Sequence, residues 1–128
     1  MAISPIPTVN MYVRRGDGEV YTLPVTLPDG TAVNLTGAKL WYTAKRKLTD
    51  ADTDAVIRKD TFNLLGIVIT SAIGGTAELT LLPADTSGEE GIQVRLFHDA
   101  QVQLSGGQPH TLFNGVLVIE PDVTQRTT

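Results

Sequence analysis

Tyr21-Thr22-Leu23-Pro24-Val25-Thr26-Leu27, closed by Pro28-Asp29-Gly30, decides the class of fold. Tyr21, Leu23, Val25 and Leu27 fall on one side of an extended chain, and Thr22, Pro24 and Thr26 on the other. That period of two marks a strand buried on one face. In Pro28-Asp29-Gly30 proline presets φ and glycine accepts the left-handed corner, so the segment is a turn. Pro24 has no amide proton, which puts this strand at a sheet edge or at a bulge.

The same pattern extends in both directions. A first strand is expected over Val9 to Arg14, then a turn at Arg15-Gly16-Asp17. A short strand over Ala32 to Leu35 leads to a corner at Thr36-Gly37. Ala38, Leu40, Tyr42 and Ala44 then alternate with Lys39, Trp41, Thr43 and Lys45. After a polar loop at 48–55, Val56-Ile57 is a brief strand, and Leu65, Ile67 and Ile69 make another, strongly β-branched one. Gly74-Gly75 closes a hairpin into Ala77, Leu79 and Leu81, with Glu78 and Thr80 facing water. Residues 83–91 are a connection that can hold one helical turn. Ile92, Val94, Leu96 and His98 alternate with Gln93, Arg95, Phe97 and Asp99. Val102 to Leu104 continues or re-enters a strand, Gly106-Gly107 turns, and Leu112 to Glu120 is the last long strand. About eight strands with a turn every eight to twelve residues predict an all-β fold with the spacing of a sandwich or a barrel, and the expectation taken forward is a single antiparallel β-sandwich. The expected limits are an extended N-terminal arm (residues 1–8), a sandwich (9–124) and a C-terminal tail (125–128). Pro5 and Pro7 hold the arm extended, either loose or laid on a neighbouring subunit as a partner-binding element.

Composition narrows the function. At 128 residues, 41% hydrophobic and 19% charged, the chain suits one globular domain. A net charge of −4 argues against nucleic acid, which is bound through clustered Lys and Arg. The densest basic group, Lys45-Arg46-Lys47, is followed at once by Asp50, Asp52 and Asp54. There is no cysteine, so no disulfide or thiolate chemistry is available. Residues 1–10 lack the features of a signal peptide, and the apolar stretch Leu64 to Ile69 is too short to cross a bilayer. The expectation is a soluble product of the cytoplasm, without membrane insertion.

Candidate chemistry is sparse, and no cofactor is implied. Arg15-Gly16-Asp17 has the letters of an integrin-binding tripeptide but sits where a turn is needed. Asp50, Asp52 and Asp54 resemble the first half of a calcium loop, yet Ala55 stands where glycine belongs and Thr61 where the bidentate Glu belongs. They are a weak metal candidate beside the reading of a solvated acidic turn. Asn34-Leu35-Thr36 fits a glycosylation sequon, but Asn34 is better used in shaping the turn. His98 and His110 are too few for an ordinary metal site, and His98 reads as a hydrogen-bonded core or rim residue. No nucleophile motif is present, and Gly16-x-Gly18 lacks the third glycine of a dinucleotide fingerprint. Glu89, Glu90 and Asp85 lie on one connector, without the opposed geometry of a glycosidase pair. Trp41 and Phe97 fall on outward faces, as a protein interface or a sugar platform would require.

One resemblance joins the corners. The series Arg14-Arg15-Gly16-Asp17, Leu27-Pro28-Asp29-Gly30, Asn34-Leu35-Thr36-Gly37-Ala38, Leu40 to Lys45, Gly66-Ile67, Leu79 to Thr86 and Gly115 to Thr124 resembles a family of bacteriophage virion domains. Those domains are similar to the N-terminal domain of phage baseplate upper proteins and to related small tail and neck proteins. The resemblance implies an immunoglobulin-like sandwich that is a non-enzymatic assembly module. It implies as partners other phage structural proteins and copies of itself, and the virion as its location. It also makes Gly16, Asp17, Gly30, Gly37, Asp85 and Thr86 turns that define the fold. In baseplate upper proteins a long fibrous region follows; this sequence ends at Thr128, so an adaptor or decoration role on tail, baseplate, neck or capsid is expected. The alternative is a carbohydrate-binding module that attaches to a host-surface glycan through Trp41, Phe97 and tyrosines.

Overall fold

The computed structural model describes residues 7–27, 29–87 and 93–121. Pro5, Pro28, Glu89, Glu90, Ile92 and the expected tail lie outside them. Among the described residues eight strands run in chain order: β1 (Met11–Arg14), β2 (Glu19–Pro24), β3 (Lys39–Lys45), β4 (Ile57–Asp60), β5 (Ile67–Ser71), β6 (Thr76–Leu81), β7 (Val94–Gln103) and β8 (Pro109–Glu120). A one-turn helix, α1 (Pro83–Thr86), follows β6, and a 3-10 turn occupies Asp52–Asp54.

The strands form two sheets, β1-β8-β7-β3-β4 and β2-β6-β5, whose facing sides make the core of a sandwich. The alternation read from the sequence is the alternation that packs. Leu40, Tyr42 and Ala44 of β3, Ala77, Leu79 and Leu81 of β6, and Leu96 and His98 of β7 are all buried. β2 is an edge strand, the first of the two places that Pro24 allows. Val25 donates its amide to the Gly75 carbonyl at 2.7 Å, so the preceding Pro24 turns its nitrogen to the open side. The Tyr21 hydroxyl donates to the Tyr12 carbonyl at 2.8 Å and ties the two sheets together. Burial, with Glu19 adding, pushes that hydroxyl's pKa up to about 12, so it remains a donor at neutral pH.

The structure departs from expectation in three places. β1 lies parallel to β8, so the sandwich is antiparallel except at this first strand. The segment at 32–35 makes only an isolated bridge, Ala32 with Thr26. Val33 and Leu35 are buried, and their amides go to two different segments, Val33 to the Val25 carbonyl and Leu35 to the Ala72 carbonyl, so no continuous ladder forms. Leu65 does not belong to β5, which starts at Ile67; it has φ +66° and is exposed, because its amide is drawn into a loop around Asp60. Of the two expected courses for Val102, it takes the first and continues β7, the register slipping once between Ala100 and Gln101.

Candidate functional site

Trp41, Thr43 and Lys45 of β3 stand on the outer face of the five-stranded sheet, opposite the side that buries Leu40, Tyr42 and Ala44. Register pairs Trp41 with Gln101 and Lys45 with Phe97, so the two aromatic residues lie four positions apart along the strands, about 13 Å. Between them run Thr43, Asp99 and Gln101, and Asp99 is paired with Asn114 of β8. The loop after β3 closes one end through Leu48 and Asp52. The result is an open trough of about 580 Å³. Lys45 Nζ lies 2.7 Å from Asp52 Oδ1, and that contact, chiefly its hydrogen bond, holds the Asp52 carboxyl below the usual range. Trp41 is half-buried because Phe62 packs its edge against it, with centroids 5.7 Å apart; Phe97 is exposed.

Behind the trough a buried polar relay anchors the N-terminal segment. His98 Nε2 donates to the Val9 carbonyl at 2.7 Å; a carbonyl can only accept, so the proton sits on Nε2. Nδ1 is then the acceptor for the Tyr42 hydroxyl at 2.8 Å. Burial pushes the His98 pKa down, against smaller upward pulls from Val9 and Asp99, and burial raises that of Tyr42. Both groups are therefore neutral at pH 7. Val9 also donates to the Asn114 carbonyl at 2.8 Å, and Asn114 donates to the Pro7 carbonyl at 3.2 Å. Pro7 is thus seated on β8 of its own chain. Gly115 makes this possible, since a Cβ there would stand 2.2 Å from the Val9 carbonyl oxygen.

The other residues singled out from the sequence hold corners. Gly16, Gly30 and Gly37 all have positive φ. Gly16 donates its amide to Thr86 Oγ1 at 2.8 Å, and Asp17 donates to the Arg14 carbonyl, so Arg15-Gly16-Asp17 is a turn clasped by α1. Asp85 Oδ2 accepts from the Leu82 amide at 2.7 Å and lies 2.8 Å from Lys59 Nζ. Asn34 Oδ1 accepts from the Thr36 amide and hydroxyl, as a turn-former does. Asp50, Asp52 and Asp54 are not brought together: Asp50 caps the Lys47 amide and Asp52 pairs with Lys45. Among the described residues no group of three or more His, Asp or Glu could hold a metal ion.

Asp60 was not singled out from the sequence, yet it fixes a whole loop of the fold. It is 3% exposed, and its Oδ1 accepts from the amides of Phe62, Asn63, Leu64 and Leu65 at 2.7–3.1 Å. Burial alone would raise its pKa; the four amide donors outweigh that and hold it below the usual value. The available signal was an aspartate followed directly by Thr61-Phe62-Asn63, a setting in which Asp bonds the backbone just ahead of it.

No protein-family model matches the chain, and no curated protein matches it.

Proposed function

We propose that this chain is a non-enzymatic structural module of a bacteriophage virion, an immunoglobulin-like sandwich docked in multiple copies on tail, baseplate, neck or capsid. It is made in the host cytoplasm and ends in the particle, among other phage structural proteins and copies of itself. The observation that carries this reading is the use of the buried polar groups. Asp60, Thr86 and His98 each direct their hydrogen bonds into fixing a loop, a corner or the N-terminal segment. Chemistry at those positions would need them free to bind or exchange protons; here they stiffen a shape. The order of the corners, which resembles that of virion domains, supports the same conclusion. Immunogold labelling of purified particles tests it: label at a fixed position on the particle is expected, and unlabelled particles from a lysate rich in the chain would refute it.

The trough supports a second reading, a carbohydrate-binding module for a host-surface glycan. Aromatic side chains at separated positions with Asp99, Gln101 and Asn114 between them match the chemistry of sugar binding, stacking plus hydrogen bonds. Trp41 is the only tryptophan, so glycan titrations followed by its fluorescence report on the trough directly. Saturable quenching lost in Phe97→Ala would favour this reading; a flat response across neutral and acidic glycans would remove it.

A further inference from the structure

Register places Thr43 of β3, Asp99 of β7 and Asn114 of β8 side by side, one row across three adjacent strands on the outer face of the five-stranded sheet. Neighbouring strands are about 5 Å apart, so the row is about 10 Å wide. It lies midway along the trough, two positions from Trp41 on β3 and two from Phe97 on β7. These side chains are used quite differently from the buried Asp60, Thr86 and His98. Among the described residues the Thr43 hydroxyl and the Asn114 side-chain amide have no hydrogen-bond partner. Asp99 Oδ2 accepts from Gln101 Nε2 over a long 3.3 Å, which leaves Oδ1 unused. β8, β7 and β3 are the interior strands of the sheet, so the row stands on a rigid platform.

We propose that this row and the two aromatic rings beside it bind an uncharged oligosaccharide of three or more sugar residues. The inference rests on the glycan reading above and names the class of glycan. Hydroxyls fit the row, since each can donate to the Asp99 carboxylate, which only accepts, and can both give and take with Thr43 and Asn114. The apolar faces of sugar rings suit Trp41 and Phe97. With about 13 Å between those residues along the strands, one sugar cannot reach both, so the sugar over the row has a neighbour on each side. Charge sets the class. Lys45 is paired with Asp52, and Arg58, in register with Thr43 on β4, acts on the same carboxylate. Lys39 lies over the Phe62 ring beyond Trp41, where the Asp60 carboxylate is buried. With Asp99 these make three cations against three carboxylates, and no field of one sign remains to draw in a charged ligand. An acidic sugar over the row would be repelled by Asp99, and an amino sugar by Lys45 and Arg58.

The test is an array of neutral, acidic and amino oligosaccharides of one to six sugars, probed with the full-length chain, with each bound sugar then titrated against Trp41 fluorescence. Neutral chains of three or more sugars should bind, and their monosaccharides should not. Asp99→Asn should weaken the trisaccharide about tenfold, because hydrogen bonds to a charged group are the stronger ones. Phe97→Ala should bring the trisaccharide down to the affinity of the shorter sugars. Tyr12→Ala removes an exposed aromatic (61%) from β1 of the same sheet and should bind as the wild type does. None of the three side chains is buried, so each variant should keep the wild-type melting temperature. Acidic or amino sugars bound as tightly as neutral ones, a monosaccharide bound as tightly as its trisaccharide, undiminished binding by Asp99→Asn, or binding lost in Tyr12→Ala would overturn this inference and leave the glycan reading in place. No binding anywhere on the array would overturn both.

Discussion

The Gly16 amide and the Thr86 hydroxyl oxygen meet at 2.8 Å across 70 residues of sequence. One belongs to the turn between the first two strands, one in each sheet; the other is fully buried in the one-turn helix after β6. The bond closes one end of the sandwich. Thr86→Val keeps the shape and removes the acceptor, leaving an inward amide unpaired, at a cost of about 1–3 kcal/mol. Thr86→Ser keeps the oxygen and should lose less. Urea unfolding at an unchanged m-value checks both, and equal losses would show that the methyl group matters rather than the bond.

Gly115 is the position where a single added carbon meets backbone. Gly115→Ala must displace Val9, with overpacking strain of about 1–3 kcal/mol. The displacement is local, so hydrogen exchange should speed up at the Val9 and Asn114 amides while the amides of β6 stay protected. Uniform acceleration across both sheets would show that the N-terminal segment is integral to the whole fold.

Acid should weaken the fold through His98. Its folded-state pKa is lowered by burial, so as pH falls through about 6.5 the unfolded chain takes up its proton first. Stability is therefore complete above that value and declines as pH drops toward the folded-state pKa. Melting temperature against pH should bend downward below about 6.5 in the wild type and lose that bend in His98→Gln. A bend that persists in His98→Gln would assign the acid sensitivity elsewhere.

Asp60 acts in a lower window. Its folded pKa lies below the ordinary carboxylate value, so its contribution is present above about 4 and is lost as pH falls further. Asp60→Ala strips four amides of their acceptor and should destabilise by on the order of 3 kcal/mol. Asp60→Asn keeps one carbonyl oxygen and should fall between. The loop amides at 62–65 report the change by exchange rate, and slow exchange in Asp60→Ala would mean the loop is held by other contacts.

What could be read in advance was whatever repeats locally. The two-residue period placed Leu40, Tyr42, Leu79 and Leu96 in the core, and the missing amide of Pro24 narrowed β2 to an edge or a bulge. Glycines at 16, 30 and 37 marked true corners because a positive φ is a property of single residues. The parallel partner of β1, the proximity of Gly115 to Val9 and the clasp between Gly16 and Thr86 depend on residues far apart in sequence, and no local pattern encodes such meetings. Asp60 was missed for a different reason. An aspartate at a strand end looks solvated until the following four amides are seen to curl around it. Trp41 and Phe97 were placed on outward positions, but the sharing of Trp41 with Phe62 came only with the fold.

The central claim is that this chain is a building block of a particle, and stoichiometry tests it most directly. Quantitative mass spectrometry of gradient-purified virions should find the chain in a fixed integer ratio to the tail, neck or capsid protein it contacts, unchanged by high-salt washing. Its absence from washed particles, or an amount that varies from one preparation to the next, would contradict that claim.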